Sequence, residues 1–186
     1  MSQIDTDVIW SVRNGELEEV KSFVAKGADV NKIVVAGRKP IHFAADSGQL
    51  DVLEFLIHAG ADINTPDANG FTALMSAVCE GHLDCVKLLL SKGQDVNKIV
   101  VAGRKPIHFA ADSGQLDVLE FLIQEGADIN TPDANGFTAL MSAVCEGHLD
   151  CVKLLLSKGA DKTVKFPEGR SCSEVAATPE MKELFN

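Results

Sequence analysis

Glycine spacing constrains this chain more than any other feature. Gly15, Gly48, Gly81, Gly114 and Gly147 recur every 33 residues. So do Gly27, Gly60, Gly93, Gly126 and Gly159, and so do Gly37, Gly70, Gly103, Gly136 and Gly169. The chain has 15 glycines, and these three series use all of them. A period of this size predicts a stacked array of small supersecondary units, each burying its apolar face on the next.

The pattern inside each period is constant. Asp67-Ala68-Asn69-Gly70 predicts a turn, and the run from Phe71 to Val78 predicts a short helix. A second helix opens at Gly81-His82, with apolar residues at Leu83, Val86, Leu89 and Leu90. Gly93 closes it, as a glycine just past a helix does. This pattern, with its Gly27-Ala28-Asp29-Val30-Asn31 exit, resembles the ankyrin-repeat family over essentially the whole chain. The resemblance implies an all-α ankyrin-repeat solenoid of helix-turn-helix repeats with β-turn fingers. One domain over 1–186 is expected. It has an N-terminal capping repeat at 1–33, full repeats at 34–66, 67–99, 100–132 and 133–165, and a short C-terminal cap at 166–186. Polar residues such as Glu16, Glu18, Glu19 and Lys21 suit the outer face of a cap. Thr178 and Pro179 predict the start of a last helix.

A longer repeat overlies the short one. Residues 29–95 match 95–161 at an offset of 66, differing only at His58/Gln124, Ala59/Glu125 and Gln94/Ala160. Core packing accounts for matched core positions but not for matched loop residues such as Thr65-Pro66-Asp67. The copy is therefore either very recent or deliberate, and deliberate engineering is the favoured alternative.

Charge narrows the function. Lys and Arg total 17 against 27 Asp and Glu, a net charge of −10. Nucleic-acid backbones and anionic membrane surfaces are therefore not expected partners. The start of the chain lacks a basic, apolar secretory pattern, and no apolar run approaches the length needed to span a bilayer. The cysteines are Cys79, Cys85, Cys145, Cys151 and Cys172, an odd count without a CxxC pair, as expected of a reduced intracellular protein. The cytoplasm is the expected location, with the nucleus as a second compartment.

No enzyme signature appears, and no cofactor or metal is expected. The histidines (His42, His58, His82, His108 and His148) form no His-x-x-x-His pair. His82 and His148 fall in the turn before the second helix, and structural roles suit them. His42 and His108 sit where ankyrin histidines bond to neighbouring backbone. Cys85 and Cys151 suit an inert core, whereas Cys79 and Cys145 are expected to be more exposed. Ankyrin repeats often pair a helix-starting Thr with a His three residues on. Here Thr72 and Thr138 face Met75 and Met141, while His42 and His108 face Lys39 and Lys105. A local deficit of about 1 kcal/mol per lost hydrogen bond is expected. The β-branched runs Ile33-Val34-Val35 and Ile99-Val100-Val101 lie near fingertips, suited to hairpin packing or partner contact. Asn31, Asn64, Asn97 and Asn130 suit turns; the resemblance also implies that such asparagines can be hydroxylated.

Protein binding is the better candidate. Stacked repeats align equivalent positions in rows about 10 Å apart. One row is Trp10, Phe43, Ser76, Phe109 and Ser142; the next is Arg13, Asp46, Cys79, Asp112 and Cys145, flanked by Glu80 and Glu146. Aromatic residues and Arg supply much of the energy of interfaces, and an acidic flank suits a basic partner. With one 66-residue copy removed, the runs around Ile9-Trp10, Gly37-Arg38-Lys39-Pro40 and Glu146-Gly147-His148 closely resemble the myotrophin family. That resemblance implies an inhibitor that binds the actin capping protein and holds it off filament barbed ends. It places the candidate protein-binding residues at Trp10, Arg38, Phe43, Asp46 and Glu80, on a chain expected to be a monomer. The tail from Phe166 departs from that family. An adaptor for another protein, such as a transcription regulator, and a chain made to study repeat folding are the alternatives.

Overall fold

Each glycine series marks a place where the backbone turns left-handed. All 15 glycines have positive φ, between 68° and 95°. Two show why no side chain fits. A Cβ at Gly48 would lie 2.6 Å from Nδ1 of His82, and one at Gly37 would lie 2.5 Å from the Ala68 amide nitrogen. In a computed structural model, residues 3–186 are described, with side chains from Thr6 onward. Among the described residues there are twelve α-helices and no multi-residue strand. This is the all-α ankyrin solenoid that the period predicts.

Contacts divide the chain after Gln94 into two compact units. The first holds α1 (Gln3–Asn14), α2 (Leu17–Ala25), α3 (Pro40–Asp46), α4 (Leu50–His58), α5 (Ala73–Glu80) and α6 (Leu83–Ser91). First helices stack on first helices, α1 on α3 on α5, and second helices likewise, α2 on α4 on α6. The second unit holds α7 (Pro106–Asp112), α8 (Leu116–Gln124), α9 (Ala139–Glu146), α10 (Leu149–Ser157), α11 (Cys172–Val175) and α12 (Pro179–Glu183). Here α7 packs on α9, α9 on α11, and α8 on α10.

The core follows from helical spacing. In α4 the residues Val52, Leu53 and Leu56 are buried; in α6 they are Cys85, Val86 and Leu89. Each such leucine is worth about 1.5–3 kcal/mol of burial. Leu83 and Leu90, also expected on the apolar face, are half-buried. Helix starts use the expected devices. Pro40 and Pro106 occupy first-turn positions. In the C-terminal cap, the Thr178 hydroxyl accepts from the Met181 amide at 3.2 Å, with Pro179 at the helix start. Ser171 and Glu174 form a reciprocal capping box on α11.

Between repeats, asparagine side chains imitate a strand partner. Asn31 Nδ2 donates to the Gly60 carbonyl at 2.9 Å, and its Oδ1 accepts from the Asp62 amide at 2.9 Å. Asn97 holds Gly126 and Asp128 in the same way, and Asn130 holds Gly159 and Asp161. The β-branched fingers close as tight hairpins. Arg38 N donates to Val35 O at 2.8 Å, around Ala36 and Gly37 with φ of +49° and +74°. Two positive φ values define the turn that matches strand twist. The Ala36 carbonyl then accepts from Ala68 of the next finger at 2.9 Å. Hairpin formation leaves side chains in solvent: Ile33 is 63% exposed and Val35 54%.

Candidate protein-binding site

Four of the five histidines are engaged with backbone groups. His42 Nδ1 accepts from the Lys39 amide at 3.1 Å, and Nε2 lies 3.0 Å from the Thr65 carbonyl. His108 repeats this with Lys105 and Thr131. His82 and His148 pack Nε2 against the carbonyls of Asp46 and Asp112, at 3.0 and 2.9 Å. All five cysteines are free thiols. Burial pushes the Cys85, Cys151 and Cys172 thiols up to about 11, which makes them poor nucleophiles. Cys79 is half-buried and Cys145 exposed. Among the described residues no cluster of His, Cys, Asp and Glu is arranged to hold a metal.

The expected hydrogen-bond deficit is narrower than the sequence suggests. The imidazoles of His42 and His108 each satisfy the backbone of their own helix start and a carbonyl near the end of the same repeat, that of Thr65 or Thr131. Lys39 Nζ adds a bond to the Thr65 hydroxyl at 2.9 Å. The Thr138 hydroxyl accepts from the Met141 amide at 3.4 Å. The loss falls on Thr72, whose buried hydroxyl has no partner.

A cleft of about 210 Å³ opens in the first unit, between the fingers and the ends of α3 and α5. Arg38, Asp46 and Glu80 all line it. Arg38 comes from the finger, and its guanidinium lies 4.5 Å from the centre of the Phe43 ring. It also reaches Asp46 Oδ1 at 2.9 Å and donates to the His42 carbonyl at 3.1 Å, while its Nε is buried without a partner. Asp67 and Asn69 form the opposite turn, where Asp67 Oδ1 accepts from the Asn69 and Phe71 amides. Glu80 ends α5 and is exposed. Ser76, only 8% exposed, also lines the cleft. Three carboxylates thus face one guanidinium, so the cleft is acidic.

Two of the expected residues stand differently. Phe43 is 4% exposed; it lies beneath Arg38 and supports that side chain, offering a partner almost no ring area. The rest of its row is buried too (Ser76, Phe109 and Ser142), apart from Trp10. Trp10 is 59% exposed on α1 and does not line the cleft. Asp67, Asn69 and Ser76 are cleft residues that sequence reasoning did not select. Asp67 and Asn69 had a sufficient role as turn formers, and Ser76 was only one member of a row.

A stack of helix pairs with a polar cleft along its first helices belongs to the class of repeat proteins that work by holding other proteins. The family described as "Ankyrin repeats (3 copies)" matches residues 8–100 and 97–166. The chain belongs to the ankyrin-repeat family and is a protein-interaction module of that kind. It is also similar to the myotrophins of Homo sapiens and Rattus norvegicus, each 56% identical over 42 residues, which is 23% of this chain. The myotrophin of Danio rerio is 52% identical over 38 residues. The chain spans 36% of the length of the human and rat relatives and 32% of the zebrafish one. No described helix is long and apolar enough to cross a membrane.

Proposed function

We propose that this chain binds the actin capping protein and keeps it from filament barbed ends, as the myotrophin resemblance implies. The single observation that carries this reading is the acidic cleft. It gathers Arg38, Asp46 and Glu80, three of the five residues that the resemblance selects. Two excess carboxylates suit a lysine or arginine side chain from a basic surface. Trp10 supplies an exposed aromatic anchor in the same unit. The protein acts by occupying the partner's surface, without chemistry, in the cytoplasm.

Actin elongation from barbed ends, in the presence of capping protein, tests it. The parent chain restores elongation. Trp10→Ala, shown to be folded by circular dichroism, weakens the effect by about 2 kcal/mol or more. A parent without effect on capping refutes the reading. A folded Trp10→Ala that works as well as the parent refutes the anchor. A second reading, a repeat array extended by design to study folding, is favoured by the near-identity of 29–95 and 95–161 even in exposed loops.

A further inference from the structure

We infer that Asn69 and Asn135 are sites of spontaneous deamidation, and that at Asn69 the carboxylate this creates enters the cleft of the first unit. The reaction needs no partner. Its effect on binding rests on the proposed function.

The chain has three Asn-Gly pairs, Asn14-Gly15, Asn69-Gly70 and Asn135-Gly136. In such a pair the glycine amide nitrogen bonds to the asparagine Cγ, and the Cγ–Nδ2 bond breaks. The glycine N–H proton leaves with the Nδ2 group as ammonia. Water then opens the cyclic imide at either carbonyl and returns a proton to the glycine nitrogen. The product is aspartate or isoaspartate, with one water consumed for each ammonia released. Glycine permits the attack because no Cβ shields its nitrogen or restricts its backbone.

Their surroundings separate the three pairs. Asn14 ends α1, where its Nδ2 donates to the Trp10 carbonyl at 2.8 Å. A Cβ at Gly15 would lie 2.3 Å from Oε1 of Gln49, whose Nε2 donates to the Arg13 carbonyl at 2.9 Å. That amide is held and that glycine is covered. Asn69 and Asn135 instead sit exposed on the turns before α5 and α9. A Cβ at Gly70 would meet nothing within 4 Å, and one at Gly136 would meet Pro167 Cγ at 3.5 Å. The bond that must open is the turn's own, from Gly70 N to the Asp67 carbonyl at 3.0 Å or from Gly136 N to the Asp133 carbonyl at 3.1 Å. Opening of an exposed turn costs little compared with global unfolding. Asn69 lines the cleft with Asp46, Asp67 and Glu80, so its conversion sets a fourth carboxylate against Arg38.

Incubation of the full chain at mildly alkaline pH tests the inference, read by peptide mass mapping and by methyl labelling with an isoaspartyl methyltransferase. The expected result is loss of the side-chain amide at Asn69 and Asn135 while Asn14 keeps its own. Amide retained at either turn, or lost as fast at Asn14, overturns the inference. For the cleft, Asn69→Asp is compared with Asn69→Gln, both shown to be folded by circular dichroism. Asn69→Asp should block capping at a concentration about threefold lower. Equal inhibition overturns the entry of the new charge into the binding site. A parent without effect on capping overturns the proposed function and the effect on binding with it, while the amide mapping still decides the reaction.

Discussion

His42 and His108 each join the start and the end of one repeat with one ring, and this sets a pH dependence. Burial holds both imidazoles below the usual 6.5, opposed in part by the carbonyls of Thr65 and Thr131. Arg38 and Arg104 add to the lowering, while Asp67 and Asp133 oppose it. The neutral ring is the one that can accept from Lys39 N or Lys105 N. The unfolded chain therefore takes up protons near pH 6.5 that the folded chain refuses. This contribution to stability is complete above about pH 6.5 and is lost as pH falls through the folded values. Urea midpoints at pH 7.5 and 5.5 should show the fall, and it should shrink in a His42→Gln/His108→Gln variant. The depressed carboxylates act in a lower window, because Asp62 and Glu174 start from 3.8 and 4.5. Backbone bonding by these histidines was legible in the sequence from their place in the repeat. The orphaned Thr72 hydroxyl was not, because Thr138 has the same neighbours in sequence and finds a partner.

The fingers are elements whose sequence opposes their shape. A turn with two positive φ values prefers Asn-Gly, yet the chain supplies Ala36-Gly37 and Ala102-Gly103. A left-handed alanine costs about 1–2 kcal/mol because its Cβ crowds the following carbonyl. Asn tolerates the region better, so Ala36→Asn should raise stability by about 0.5–1 kcal/mol. A urea melt of the single variant checks it, and a lowered midpoint would count against the strain. Gly37 leaves no such freedom, with the Ala68 amide where its Cβ would be. Glycine spacing made the helices and finger positions readable, since each glycine enforces a turn that other residues resist. Ring burial was not readable. Whether Phe43 faces solvent depends on where Arg38, five residues earlier on a finger, lays its guanidinium. No local periodicity encodes that placement.

At the scale of the whole chain, stability should grow with the number of stacked interfaces. Residues 95–160 supply the stacking of α7 on α9 and of α8 on α10, with Ile107, Leu119, Leu122, Leu140 and Leu155 buried there. A chain lacking them, with Gln94 joined to Asp161, should unfold at lower urea and with a shallower slope, since less surface is exposed. An equal or higher midpoint for the shorter chain would contradict this. The named side-chain bonds between repeats have a kinetic consequence. They reach only 29 to 36 residues along the chain, from Asn31 with Gly60 to His82 with Asp46. Loop-closure entropy depends on that reach and not on total length. Adding repeats therefore adds nuclei of equal difficulty instead of more distant ones. Absolute contact separation stays fixed while the chain lengthens, and relative contact order, which slows folding when high, declines with every repeat gained.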